Sequence, residues 1–296
     1  MRCIFVSKNN RHCHHKSKNN PKNFSAQHRL INKRLVLDMI DLARIQRHET
    51  VLDLGAGTGA ITFPLAERAA NVIAVETDPE YVSKLRSRAE AGHMQNVRVV
   101  PADILQIQLP RREFVVVANI PYSITTPILG RLLDHPAVPL QRAVLLVELG
   151  AAKRFTGRLA RNPRMLGWRM SYEFQLVRAV APSNFSPPPK VDSGILTIRR
   201  RKDPLVPPKH HARFMALAAY TLRYPDLPLP EALSGVFTPP QMTRLIRQLG
   251  VDRGFPVSRL DEAGWGQLFS AMLKHVPPER WPRTPLPGFG KPKKRR

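Results

Sequence analysis

Only two cysteines occur among the 296 residues, Cys3 and Cys13. Both sit in a basic leader with no apolar pattern around them, so no disulfide framework is expected, in keeping with a reducing cytoplasm. Long apolar runs are missing as well. Each strong one is cut by a charge or a proline before it reaches the length of a membrane span. The opening MRCIFVSKNNRHCHHK also lacks the sustained apolar core of a secretory signal. Around His12-Cys13-His14-His15 there is no second ligand pair at a structural-zinc spacing, so no metal is expected. Acidic residues are absent before Asp38 and after Glu279.

What the chain has in excess is positive charge. Lys and Arg number 47 against 22 Asp and Glu, a formal net charge of +25. Such a field attracts polyanions and supplies phosphate contacts without regard to sequence. A membrane-surface helix would set its basic residues opposite an apolar stripe, and the termini carry none. Nucleic acid is therefore the expected partner.

Residues 1–22 are polar, rich in Asn and Lys and without a period, which predicts a leader disordered until an acidic partner binds it. Ile31, Leu35, Met39 and Ala43 then mark one stripe of an amphipathic helix. From there short apolar strands alternate with helices. TVLDL (50–54) leads into a helix over 59–69, and NVIAVE (71–76) into one over 79–91. VRVVPAD (97–103), FVVVAN (114–119), a helix near 126–134 and AVLLVE (143–148) follow. Strands apolar on both faces and separated by helix-length segments imply a parallel sheet covered by helices. YEFQLVRAV (172–180) and GILTIRR (194–200) have no helix between them and read as a closing hairpin. After a linker, helical patterns near 211–223, 239–249 and 261–275 predict a small helical domain over 204–285, ahead of the basic tail 286–296.

Two constellations carry chemistry. In VLDLGAGTG, glycines 55, 57 and 59 stand between a strand and a helix, where a backbone without Cβ lets a ligand approach closely. Glu76 ends the next strand, where a carboxylate can bind ribose hydroxyls. The spacing G-x-G-x-G departs from the dinucleotide fingerprint, although this turn alone leaves both a dinucleotide and S-adenosylmethionine open. Asp103, at the end of the following strand, can accept from an adenine amino group of such a ligand. It can equally cap whatever follows the strand.

The second constellation is Asn119-Ile120-Pro121-Tyr122, at the carboxyl end of a strand, where doubly wound sheets hold their ligands. The lone pair of adenine N6 is delocalised into the ring, so that nitrogen is a poor nucleophile. Acceptors from the Asn119 side chain and an adjacent backbone carbonyl can hold its two hydrogens and favour a pyramidal nitrogen. Pro121 stiffens the turn, and Tyr122 offers a ring for the base to stack on. A plain strand-to-helix turn would use the same residue types.

PKNFSAQH, VLDLGAGTG, VETD, PADI, NIPYSITTPI, AAKRF and FSPPPKVDS occur in the order seen in the ribosomal RNA adenine N6-dimethyltransferase superfamily, which the chain resembles over about residues 23–200. NIPYSITTPI, ELGAAKRFTG, FTPPQM and KHVPPERWPR are most similar to the erythromycin-resistance (Erm) branch. The resemblance implies a Rossmann-like class I methyltransferase domain over 23–203, with a small α-helical C-terminal domain. It also implies S-adenosylmethionine as cofactor, 23S rRNA as substrate, and resistance to macrolides, lincosamides and streptogramin B. Cytoplasmic action as a monomer on rRNA before the ribosome is complete, with no membrane and no obligate protein partner, belongs to the same expectation.

By motif, Asn23 and the backbone at Ser25 are expected at the cofactor with Gly55, Glu76, Asp103 and Asn119. Lys22 stands where the family often has Gln, and Ser25 where it often has a larger apolar residue, which is why only the Ser25 backbone is assigned. Phe185 of FSPPPKVDS matches an aromatic expected to face the target adenine opposite Tyr122. Lys153, Arg154, Arg158, Arg161 and Arg164 form a basic cluster expected to contact RNA phosphates. The competing readings are a small-subunit (16S) rRNA dimethyltransferase, a DNA adenine methyltransferase, against which FSPPPKVDS argues, and a non-catalytic RNA-binding relative.

Overall fold

The computed structural model describes residues 28–283. The leader, Asn23, Ser25 and the basic tail lie outside the described residues. A two-residue strand, Arg29–Leu30 (β1), precedes the first helix, Lys33–Ala43 (α1), whose N-cap Asn32 accepts from the Leu35 N–H. Thr50–Leu54 (β2), Thr62–Ala66 (α2), Asn71–Glu76 (β3), Pro79–Ala91 (α3) and Val97–Pro101 (β4) form the first half of the main sheet. Phe114–Asn119 (β5), Thr125–Leu133 (α4) and Leu140–Glu148 (β6) continue it. Two helices, Leu149–Thr156 (α5) and Pro163–Ser171 (α6), then precede Tyr172–Val180 (β7), Phe185–Ser186 (β8) and Ser193–Arg200 (β9). The helices His211–Thr221 (α7), Leu229–Ala232 (α8), Pro239–Leu249 (α9) and Glu262–His275 (α10) follow.

The main sheet has seven strands in the order β4-β3-β2-β5-β6-β9-β7. Every pair from β4 to β6 is parallel, and β9 pairs antiparallel with both β6 and β7. This is the mostly parallel Rossmann-like sheet with a closing hairpin that the sequence predicts. Its strands are apolar throughout because both faces are covered. In β5, Val116 and Ala118 join a core with Ile128, Leu129 and Leu132 of α4, whereas Val115 and Val117 pack with Met39 and Ile40 of α1. Successive strands run outward from β2 in one direction and from β5 in the other. The switch point, where such sheets hold ligands, therefore lies at the carboxyl ends of β2 and β5.

Two local expectations change. The helix expected over 59–69 is confined to Thr62–Ala66. Gly59 has φ +87, outside helical geometry, and a Cβ there would collide with the Phe63 ring. The chain therefore turns through residue 59 before a helix can start. The helical part, in turn, does not begin at residue 204. Its core, built on Phe214, Trp265 and Phe269, also draws in Ala160, Leu166 and Met170. Helix α6 faces both ways, since Trp168 on the same helix belongs to the sheet core. Among the described residues no helix is long and apolar enough to cross a membrane.

Candidate active site

The glycine turn leaves β2 with φ values of +81, +53 and +87 at Gly55, Gly57 and Gly59, all in the region where a Cβ is disfavoured. The backbone N–H groups of Gly55 and Ala56 both donate to the Val75 carbonyl, which ties the turn to the end of β3. Glu76 completes the tie. Its Oε2 accepts from the Gly57 N–H at 2.8 Å, and its Oε1 accepts from the N–H groups of Thr77 and Asp78 at 2.8 and 3.0 Å. Three backbone donors hold this nearly buried carboxylate beside the turn. An added Cβ on Gly57 would meet no described residue within 4 Å, so among the described residues nothing fills the space above the turn.

Beneath the turn lies a residue that motif reading passed over. Asp53 of β2 is buried; its Oδ2 accepts from the Thr62 hydroxyl at 2.6 Å, and its Oδ1 has no partner. Burial pushes this carboxyl up to about 7, with the Thr62 hydrogen bond working against the rise and the Glu76 charge adding to it. The signal in the sequence was a carboxylate inside the apolar run VLDL, which burial penalises unless it has a use.

The folded protein holds the Asp53 proton to about pH 7, and the unfolded chain releases it near 3.8. The resulting stabilisation is complete below the lower value and is lost as pH rises through the higher one. Between pH 5 and 7.5 the stability of the wild type relative to Asp53→Asn should therefore fall by on the order of 2–3 kcal/mol. Urea unfolding of both proteins reads this out, and parallel curves would mean that Asp53 is already ionised in the native state.

Asp103 follows β4 and is exposed; its Oδ1 accepts from the Leu105 N–H at 2.9 Å and its Oδ2 from the Gln106 side chain at 3.4 Å. It caps the turn after the strand, and the second oxygen is held only loosely.

Asn119 ends β5 directly against the glycine turn, since a Cβ on Gly55 would lie 3.8 Å from the Asn119 carbonyl oxygen and 3.9 Å from Pro121 Cδ. The Asn119 Nδ2 donates to the His28 carbonyl at 2.8 Å. A carbonyl only accepts, so this bond fixes which way the amide points and leaves Oδ1 an acceptor without a donor among the described residues. The Pro121 carbonyl is taken by the Ile124 N–H and the Thr125 hydroxyl. The adjacent carbonyl with no donor among the described residues is that of Ile120. Tyr122 opens a single 3-10 turn, and its hydroxyl shares a 2.6 Å hydrogen bond with the buried Ser193 hydroxyl. Burial raises the phenol's pKa, opposed by the Ser193 hydrogen bond, so it stays protonated at neutral pH.

Three expected contacts are placed differently. Phe185 is 3 % exposed and packs in the core with Leu30, Val180 and Ile195, so it has no open face to offer a base. The pairing of Leu30 with Phe185 across β1 and β8 pins it there. Arg161 is bound through two nitrogens to Asp226, at 3.0 and 2.6 Å. Arg164 is bound in the same way to Asp134, at 2.8 and 2.5 Å, with its guanidinium over the Trp168 ring. Both guanidiniums are committed to carboxylates, Arg161 fastening its loop to the helical part and Arg164 fastening α6 to the end of α4. Lys153, Arg154 and Arg158 are exposed and have no carboxylate partner among the described residues.

Comparison with known proteins places this geometry in context. The family model described as ribosomal RNA adenine dimethylase matches residues 18–274. An rRNA adenine N-6-methyltransferase of Bacillus licheniformis is 44 % identical over 262 residues, covering 88 % of this chain and 91 % of the relative. The crystal structure of the 23S rRNA methyltransferase ErmE superposes with a TM-score of 0.74 at 27 % identity, over 83 % of this chain and 99 % of that one. A dimethyladenosine transferase from Plasmodium falciparum has the same fold, with a TM-score of 0.70 at 21 % identity over 84 % of this chain and 99 % of that one.

Proposed function

Because the chain belongs to the ribosomal RNA adenine dimethylase family, and hence to the S-adenosylmethionine-dependent rRNA adenine N6-methyltransferases, we propose that its substrate is one adenine of bacterial 23S rRNA, whose methylation blocks macrolides, lincosamides and streptogramin B. The observation that carries the chemistry is the oriented acceptor pair, Asn119 Oδ1 and the Ile120 carbonyl, set beside the glycine turn. The 23S target rests on the Erm-like motifs and on the likeness to ErmE.

The residues around the turn suit the cofactor. A cationic ligand bearing ribose hydroxyls finds the Glu76 carboxylate, an oxygen of the buried Asp53 carboxyl without a partner among the described residues, and space above Gly57 that no described residue fills. Gly55, Glu76, Asp103 and Asn119 would hold it, with Asn23 and the Ser25 backbone from the preceding segment. When bound, S-adenosylmethionine supplies an activated methyl group on a sulfonium. The protein's own task is positioning and electrostatics. Asn119 Oδ1 and the Ile120 carbonyl each accept one N6 hydrogen, which favours a pyramidal nitrogen whose lone pair is drawn out of conjugation with the ring. The same two oxygens stabilise the positive charge that develops on N6 before it releases a proton to solvent water. Tyr122 gives the flipped base a ring to stack on, and Lys153, Arg154 and Arg158 contact the RNA phosphates. The protein acts as a monomer in the cytoplasm, on rRNA not yet fully assembled.

Hydrogen bonds to a charged group are worth about 1.5–3 kcal/mol, so Glu76→Ala should weaken S-adenosylmethionine binding about tenfold or more. Unchanged affinity by calorimetry would remove Glu76 from the site. The resistance reading is tested by expression in a susceptible bacterium. Tolerance should rise to all three drug classes together, and growth inhibited at the same concentrations as in the parent strain would count against it.

A further inference from the structure

Helix α5 leads the chain away from the candidate active site, and the segment after it is laced to the helical part. The Ala160 N–H donates to the Ser258 carbonyl at 2.8 Å, and the Ser258 N–H donates to the Pro225 carbonyl at 2.8 Å. Arg161 adds its two bonds to Asp226, and the Leu227 N–H donates to the Tyr224 carbonyl at 3.1 Å. Residues 158–161, 257–259 and 223–227, distant in sequence, therefore lie side by side. Hydrogen-bonded neighbours of this kind are about 5 Å apart, so the surface they share is roughly 10 Å across. Two large apolar side chains stand on it. Leu159 is 50 % exposed and Tyr224 is 62 % exposed, and Tyr224 is the only exposed Phe, Tyr or Trp among the described residues. Its ring has no aromatic or cationic partner among those residues. Arg158, Arg223 and Arg259 are exposed on the same segments, with no carboxylate partner among the described residues. Asp226, the acidic residue within these segments, is already answered by Arg161.

We infer that this surface is a second RNA-contact site, in which the Tyr224 ring stacks on an unpaired base of the substrate RNA while Arg158, Arg223 and Arg259 hold the phosphates beside it. The inference rests on the reading of the chain as an rRNA adenine N6-methyltransferase. Every base has a face that an aromatic side chain can stack on, and the phosphates flanking it supply the charge that free guanidiniums lack. The dimensions suit a short single strand, because roughly 10 Å spans about three nucleotides at about 3.4 Å of rise each. A paired stem would cover its bases and give the ring nothing to stack on, so the partner is a loop or a bulge. The base held there is not the target. Helix α5 begins at Leu149, whose N–H is bound to the Asp192 carbonyl, next to the Ser193 hydroxyl that meets Tyr122. Its eight residues put about 12 Å between that end and the segment carrying Arg158. The site therefore contributes affinity and register, and the chemistry stays at Asn119.

Tyr224 closes its turn through its backbone carbonyl, and its side chain is exposed, so substitution there should leave folding intact. With a synthetic RNA hairpin that the wild type methylates, Tyr224→Ala should raise KM about tenfold, within the range for loss of one base stack, and leave kcat within about twofold. Tyr224→Phe keeps the ring and should hold KM within about twofold of the wild type. Salt separates ring from charge. Tyr224→Ala should keep the wild-type slope of log Kd against log salt, whereas Arg223→Gln and Arg259→Gln should each reduce it by about one. An abasic scan of the hairpin then locates the partner. One abasic site away from the target adenine should weaken wild-type binding about tenfold and leave binding by Tyr224→Ala unchanged. A wild-type KM in Tyr224→Ala, or a scan in which the variant responds to every abasic site as the wild type does, would overturn the inference and leave the patch to a protein partner or to solvent. If the wild type methylated no adenine in any RNA, the functional reading itself would fail.

Discussion

Asn119→Ala should lower the single-turnover methylation rate about a hundred- to a thousandfold, the loss that follows removal of one preorganised polar group aimed at developing charge. The reason is geometric. The Nδ2 bond to the His28 carbonyl fixes the amide so that Oδ1 alone faces the incoming amino group. Without that acceptor, N6 keeps its lone pair in the ring and one hydrogen unheld. Asn119→Asp makes the argument sharper. A carboxylate retains acceptor oxygens but cannot donate to His28, and it sets two oxygens against each other at the anchor. It should therefore fail about as badly as alanine. Rapid-quench measurement with enzyme in excess separates this from binding. An Asn119→Asp enzyme with near wild-type rate would show that the anchor is dispensable.

Tyr122→Ala should cost about ten- to a hundredfold in kcat/KM, because stacking is worth about 1–3 kcal/mol per base. Tyr122→Phe separates ring from hydroxyl. It keeps the stacking face but leaves the buried Ser193 hydroxyl without its 2.6 Å partner. The cost should therefore appear in folding stability, at about 1 kcal/mol, with turnover within a few fold of the wild type. Cofactor affinity should barely change in either variant. Equal loss of turnover in Phe and Ala would make the hydroxyl, and not the ring, the essential group.

The parts of this molecule that were legible in advance are those whose physics is local. A β-branched strand buried on both faces, a glycine turn and a carboxylate at the next strand end each carry their signature in a few adjacent residues. Glu76 and Asn119 accordingly lie where their motifs suggest. Residues whose role depends on a distant partner were not legible. Nothing near Arg161 announces Asp226, and nothing near Arg164 announces Asp134, so two guanidiniums committed to ion pairs read as free phosphate contacts. Phe185 was assigned to the target base by its motif, whereas its pairing with Leu30 carries it into the core. The part played by His28 is written in its backbone, where side-chain identity gives no clue. Helix α6 was missed because its apolar residues serve two cores at once and follow no single stripe.

The most direct test of the central claim is mass mapping of both large ribosomal RNAs from a susceptible bacterium expressing this protein. New methyl groups on N6 of a single adenine in 23S rRNA, absent from the parent strain and from an Asn119→Ala control, are the predicted result. New methyl groups on 16S rRNA with 23S unmodified would contradict it and replace the resistance reading with that of a small-subunit enzyme.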